Sequence, residues 1–137
     1  MKVFVIDDCE ISLLLTTHLL NLAGIDLVKT FAGGEKALDY LVQNGPEALP
    51  DAILLDLNMP GMDGWEFLES LGATGRLALK DQCRIYILTS SIDPADAAKA
   101  STYVSVYGFF HKPLQQIAIK TLQTGIYLSF QEINQTG

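Results

Sequence analysis

Short apolar runs alternate with longer stretches of helical periodicity along this chain. Val3 to Ile6, Leu27 to Phe31, Ile53 to Leu55, Arg84 to Leu88 and Gly108 to His111 each have strand length and end in polar or turn-forming residues. Between the first two runs, Glu10 to Leu22 predicts a helix with Ile11, Leu14, Leu15, Leu19 and Leu22 on one broad buried face and Gly24 closing it. Glu35 to Val42 predicts a second helix carrying Ala37, Leu38 and Leu41, stopped by Asn44-Gly45-Pro46. A third starts near Gly64, buries Phe67, Leu68 and Leu71, and is capped by Asp63 with Glu66 three residues on. Gly72 to Gln82 fits a helix tail or a loop equally well.

Asp93-Pro94 reads as an N-cap followed by proline in the first turn of a helix reaching about Val104. A last helix is expected from Leu114 to about Gln131, with Gly125 a weak point. Five strands alternating with five helices imply an α/β fold, a parallel sheet wrapped by helices on both faces.

Composition narrows the function. With 137 residues, 49% of them apolar and 18% charged, the chain suits one domain with a proper core and excludes disorder. A net charge of −7 and scattered Lys and Arg argue against a nucleic-acid surface. No apolar run is long enough to span a membrane. Met1 leads directly into a strand, which leaves no room for a signal peptide, and a cytoplasmic location is expected. Cys9 and Cys83 are too few for a disulfide framework and lack metal-ligand spacing. Cys9 reads as a packing residue, and His18 and His111 as border or surface residues.

The chemistry lies where the strands end. Asp7 and Asp8 follow the first run, Asp56 the third, Thr89 ends the fourth and Lys112 the fifth. In a parallel sheet these ends share one edge, the edge at which such sheets bind ligands. A charge left at the end of a buried strand costs several kcal/mol or so unless something compensates it. Three carboxylates brought together repel, and one lysine cannot offset them, whereas a divalent cation can. Hard oxygen ligands with room for water favour Mg²⁺. A carboxylate oxygen of Asp56 beside a metal, a lysine and a hydroxyl is then placed to receive a phosphoryl group.

At this point the chain resembles a known family. Asp7-Asp8, Asp56, Thr89-Ser90, Lys112-Pro113 and Met59-Pro60-Gly61-Met62-Asp63-Gly64 are similar to the motifs of the receiver (CheY-like) domain of two-component response regulators, in family order and spacing over nearly the whole chain. The resemblance implies a flavodoxin-like sheet of order 2-1-3-4-5 and a single receiver domain over 1–137, its core about 1–131 and 132–137 a tail. It implies phosphorylation of Asp56 by a histidine kinase or phosphotransfer protein, with Mg²⁺ held by Asp8, by Asp7 partly through water, by Asp56 and by the backbone carbonyl of Asn58. Thr89 and Lys112 would contact the phosphoryl group. Phe109 would be the switch aromatic that turns inward with Thr89, a position often held by Tyr. Such a chain catalyses only its own phosphorylation and dephosphorylation, and with no output domain its output is a protein contact.

The last helix also carries a second apolar stripe, Ile119, Leu122, Ile126, Phe130 and Ile133, beside Leu114, Ile117 and Thr121 expected against the sheet. It reads either as a broad buried face or as a partner or self-association surface formed with the preceding helix and the fifth strand. Two rival functions remain. A Mg²⁺-dependent phosphohydrolase needs an acid/base carboxylate two residues after its nucleophile, where this chain has Asn58. A receiver-like interaction module that is never phosphorylated would have lost an acidic residue or the lysine, and all are present. A flavodoxin fits less well still, since no phosphate-cradling loop follows the first strand.

Overall fold

The computed structural model describes residues 1–73 and 83–125. Five strands, β1 (Lys2–Ile6), β2 (Leu27–Phe31), β3 (Ala52–Leu55), β4 (Arg84–Thr89) and β5 (Val106–His111), form one sheet in the order β2-β1-β3-β4-β5, with every pairing parallel. The helices are α1 (Glu10–Leu22), α2 (Gly34–Asn44), α3 (Gly64–Ala73), α4 (Pro94–Ala100) and α5 (Gln116–Thr124), with a 3₁₀ turn at Pro46–Ala48. This is the parallel, doubly wound sheet expected from the alternation of runs, in the flavodoxin-like order that the family resemblance implies.

Strand side chains alternate between two cores. Phe4, Ile6, Ile53, Leu55, Ile85, Ile87 and Phe109 pack with Ala37 and Leu41 of α2, Phe67, Leu68 and Leu71 of α3, and Ala100 of α4. Val3, Val5, Leu54, Tyr86, Leu88 and Phe110 pack on the other face with Leu20 of α1 and with Ala118, Ile119 and Leu122 of α5. β1, β3 and β4 lie inside the sheet, and apart from the half-buried Lys2 and Arg84 at their starts every residue in them is buried, as strands covered on both faces must be. β2 is an edge, and only Phe31 among its residues is buried.

Several local expectations hold. Asp63 accepts from the Glu66 N–H at 2.8 Å while Glu66 accepts from the Asp63 N–H at 3.3 Å, the reciprocal capping box of α3. Asp93 caps α4 through the Ala95 N–H at 3.0 Å, with Pro94 in the first turn.

Others are corrected. α4 ends at Ala100 rather than near Val104, and β5 begins at Val106 rather than Gly108, with a register shift opposite Ile85 and Tyr86. α5 begins at Gln116, and Gly125 follows Thr124 in the left-handed conformation (φ 68°) as its C-cap. Residues 126–131, expected in the same helix, and 74–82 lie outside the described residues.

The largest correction concerns helix faces. On α1, Ile11 (77% exposed), Leu14 (67%) and Leu22 (71%) face solvent together with Leu15. The inner stripe is instead Leu13, Thr16, Leu20 and Ala23, of which Thr16 and Leu20 are buried, while Leu19 packs against the core as expected. The helix is aliphatic nearly all round, so its own periodicity could not choose a face. Packing chose the stripe containing Thr16, which an apolar count passes over. On α5, Ile119 and Leu122 of the expected second stripe are core residues, while Ile117, expected inward, is partly exposed.

Candidate functional site

The sheet delivers the candidate residues to one edge through backbone hydrogen bonds. The Asp7 N–H donates to the Phe31 carbonyl of β2 at 3.1 Å, and the Asp56 N–H to the Ile6 carbonyl of β1 at 3.0 Å. The Lys112 N–H donates to the Thr89 carbonyl at 2.8 Å. Each residue is thus the first beyond its strand, or the last within it, stitched to the neighbouring strand. Convergence follows from parallel register rather than from any local motif.

Asp7 and Asp56 are buried and Asp8 is exposed, yet one carboxylate oxygen from each lies within 4.8 Å of the others. Lys112 reaches into this cluster from the cis Lys112–Pro113 junction. Its Nζ lies 2.5 Å from Asp7 Oδ2 and 3.4 Å from Asp56 Oδ2. The Leu57 N–H donates to Asp56 Oδ1 at 2.9 Å, and the Cys9 N–H to Asp7 Oδ1 at 2.9 Å. Burial pushes Asp56 above its ordinary value of 3.8; the Lys112 charge opposes this, the Asp7 charge adds to it, and the Leu57 N–H opposes it. Burial alone would lower Lys112, but its hydrogen bond to Asp7 and the charges of Asp56 and Asp7 raise it.

Among the described residues one ammonium faces three carboxylates, so these groups carry excess negative charge. An oxygen-only donor set with that charge, half-sunk and open on the Asp8 side, suits a hard divalent cation.

Thr89 is fully buried at the end of β4, and its Oγ1 accepts from the Ser91 N–H at 3.2 Å. Phe109 is buried in the α2–α3–α4 core, its ring edge-on to that of His111. Asn58 is exposed in the loop after β3. Cys9 is exposed, which corrects the expectation of a packing residue: the turn into α1 turns its side chain outward while its N–H serves Asp7. His18 and His111 are exposed.

Gly64 holds the loop after β3 against the site. Its N–H donates to the Leu57 carbonyl at 2.9 Å, and an added Cβ would lie 2.6 Å from the Asp56 carbonyl oxygen and 2.9 Å from Leu57 Cα. Both obstacles are backbone, so neither can swing aside. Gly64→Ala should therefore destabilise the fold by about 2 kcal/mol, in the range of overpacking substitutions. A urea midpoint equal to that of the wild type would disprove this.

Three features escaped the sequence reading. Ser91, just beyond β4, donates its hydroxyl to Asp96 Oδ2 at 2.5 Å. Trp65 stacks on Tyr103 with centroids 5.7 Å apart, and the Lys99 ammonium lies 4.6 Å from the Trp65 ring centroid. The third is the solvent-facing aliphatic stripe of α1, for which the sequence did hold a signal: a helix with aliphatic residues on every side and no charge between Glu10 and His18 cannot bury all of them when only one side packs on the sheet.

Known proteins share this arrangement. A family model described as the response regulator receiver domain matches residues 3–123. A protein-glutamate methylesterase/protein-glutamine glutaminase of Natronomonas pharaonis is 31% identical over 118 residues, covering 84% of this chain and 30% of that protein. The sensory/regulatory protein RpfC of Xanthomonas campestris is 29% identical over 124 residues, covering 90% of this chain and 16% of that protein. The chain therefore spans less than a third of the length of either relative. Among solved structures, a two-component response regulator from Cytophaga hutchinsonii superposes with a TM-score of 0.83 at 28% identity, over 90% of this chain and 94% of that one. The chemotaxis protein CheY4 of Vibrio cholerae gives 0.72 at 29% identity, over 93% and 98%.

Proposed function

The chain belongs to the response regulator receiver domain family, and from that premise we propose that it is a phosphorylation-controlled switch whose phosphoacceptor is Asp56. The observation that carries this reading is the buried Asp56 carboxylate, within 4.8 Å of Asp7 and Asp8 and 3.4 Å from the Lys112 ammonium. A histidine kinase or phosphotransfer protein carrying a phosphohistidine is the donor. An Asp56 oxygen attacks phosphorus in line, the donor's P–N bond breaks as the new P–O bond forms, and the leaving imidazole takes up a proton.

Asp7, Asp8, Asp56 and the Asn58 backbone carbonyl would hold Mg²⁺, which when bound would neutralise charge on the phosphoryl oxygens. Lys112 neutralises the same charge from the β5 side, and Thr89 hydrogen-bonds a phosphoryl oxygen. Phe109 follows Thr89 as the switch aromatic, its inward position held by packing because it has no hydroxyl. Water later hydrolyses the acyl phosphate. Asn58 cannot serve as the acid/base that turnover of phosphate esters requires, which favours self-phosphorylation and self-dephosphorylation over phosphohydrolase activity.

Intact-mass measurement after incubation with acetyl phosphate tests the reading. With Mg²⁺ the protein should gain one phosphoryl group, and without Mg²⁺ little. No gain in either condition would favour the unphosphorylated interaction module instead.

The aliphatic stripe of α1 is the surface on which the donor docks. α1 starts directly after Asp7-Asp8-Cys9, and its exposed residues Ile11, Leu14 and Leu15 adjoin the edge that holds Asp56. A donor seated there brings its phosphohistidine to the carboxylate. Output leaves through α4, β5 and α5, where Val104 and Ile117 are exposed, by self-association or by a protein target. Leu14→Glu should slow phosphotransfer from a phosphohistidine protein at least tenfold, while labelling by acetyl phosphate stays within about twofold, because the small donor needs no docking surface. Equal slowing with both donors would show instead that the substitution damaged the site.

A further inference from the structure

We propose that Ser91 is a positioning residue that hooks Thr89 to helix α4, so that a change at Asp56 is passed to the contact of Lys99 and Tyr103 with Trp65. The inference rests on the reading of Asp56 as phosphoacceptor and adds a route out of that site.

The hook has two ends on one residue. The Ser91 backbone N–H donates to Thr89 Oγ1 at 3.2 Å, which aims the hydroxyl while leaving its own proton available to a phosphoryl oxygen. The Ser91 hydroxyl donates to Asp96 Oδ2 at 2.5 Å in the first turn of α4 and accepts from the Asp93 N–H, the N-cap of that helix, at 3.3 Å. An anionic acceptor makes the Asp96 link the strongest of the three. Thr89 therefore cannot shift toward the phosphoryl group without either drawing Ser91 and the first turn of α4 along or giving up a hydrogen bond of this chain.

At its other end α4 rests on α3. Lys99 places its ammonium 4.6 Å from the Trp65 ring centroid. Tyr103, just beyond the helix, stacks on the same ring at an interplanar angle of 20° and donates its hydroxyl to Glu69 at 2.9 Å. α4 is only Pro94–Ala100, two turns, so a displacement of its start is delivered to its end with little lost in bending. Trp65 is the chain's single tryptophan, and it sits where that displacement arrives. Its emission thus reports the position of α4 without an added probe.

The experiment loads the protein with Mg²⁺ and beryllofluoride, a phosphoryl mimic, and follows binding by ¹⁹F NMR and α4 by Trp65 emission. In the wild type, bound beryllofluoride should change the emission. In Ser91→Ala, beryllofluoride should still bind while the emission change falls at least threefold. Ser91→Thr, which keeps the hydroxyl, should restore it. Asp96→Ala breaks the same link from the helix side and should match Ser91→Ala, and the double variant should be no worse than either alone, as for two ends of one interaction. A full emission change in Ser91→Ala and Asp96→Ala with beryllofluoride bound, or no change in the wild type with it bound, would overturn the hook. Failure of beryllofluoride to bind the wild type would instead overturn the phosphoacceptor reading on which it rests, and the hook with it.

Discussion

Replacing Asp56 by Asn should abolish phosphoryl uptake from acetyl phosphate and, at neutral pH, raise the melting temperature. The first effect follows from the loss of the attacking oxygen: an amide is no nucleophile toward phosphorus, and removing a nucleophile commonly costs 10³-fold or more. Residual labelling within tenfold of wild type would place the acceptor elsewhere. The second effect follows from the electrostatics of the site. Burial, with the Asp7 charge beside it, raises Asp56 above its ordinary 3.8 despite Lys112. A group with a raised folded-state value binds its proton more tightly in the folded protein than in the unfolded chain. The stability linked to that proton is fully present below 3.8 and lost as the pH rises through the folded value. Asn is neutral at every pH and does not lose it. The variant's advantage should therefore be largest near neutrality and shrink as the pH falls below the carboxylate range. Thermal unfolding across that range checks the sign, and a variant less stable than wild type at pH 7 would refute it.

Lys112→Ala should cost both activity and stability. It removes the cation 2.5 Å from Asp7 and 3.4 Å from Asp56 and leaves two buried carboxylates facing one another. Breaking one side of a buried pair typically costs 3–5 kcal/mol; with a fifth of the lysine side chain exposed, about 2 kcal/mol is expected here. Labelling by acetyl phosphate should slow about a hundredfold, the usual effect of deleting one group that stabilises developing charge. The pH dependence again has a definite sign. The folded value of Lys112 is raised, so its stabilisation is complete below 10.5 and lost as the pH climbs through the folded value. Wild type and variant should differ most near neutrality and converge in strong alkali. Denaturant titrations from pH 7 into strong alkali decide the matter, and a constant difference would mean that Lys112 acts only through packing.

The parts of this protein legible from its residues alone are those dictated by chain direction and period. A strand apolar on both faces must lie inside a sheet, and parallel strands must bring their carboxyl ends to one edge. Asp7, Asp8, Asp56, Thr89 and Lys112 were therefore placeable before any coordinates, as were the caps at Asp63 and Asp93, whose partners lie two or three residues away.

Tertiary structure alone decided how each helix is rotated about its axis and which partner each polar group takes. α1 offers aliphatic residues on every side, and only the fit of Leu13, Thr16 and Leu20 against the sheet turned Ile11, Leu14 and Leu22 to solvent. The closer approach of Lys112 to Asp7 than to Asp56, the link from Ser91 to Asp96, and the stack of Trp65 under Lys99 and Tyr103 depend on distances between separately packed elements. Periodicity is a property of one segment and can be read along it, whereas rotation and partner choice minimise the energy of several segments at once and have no signature in any one of them.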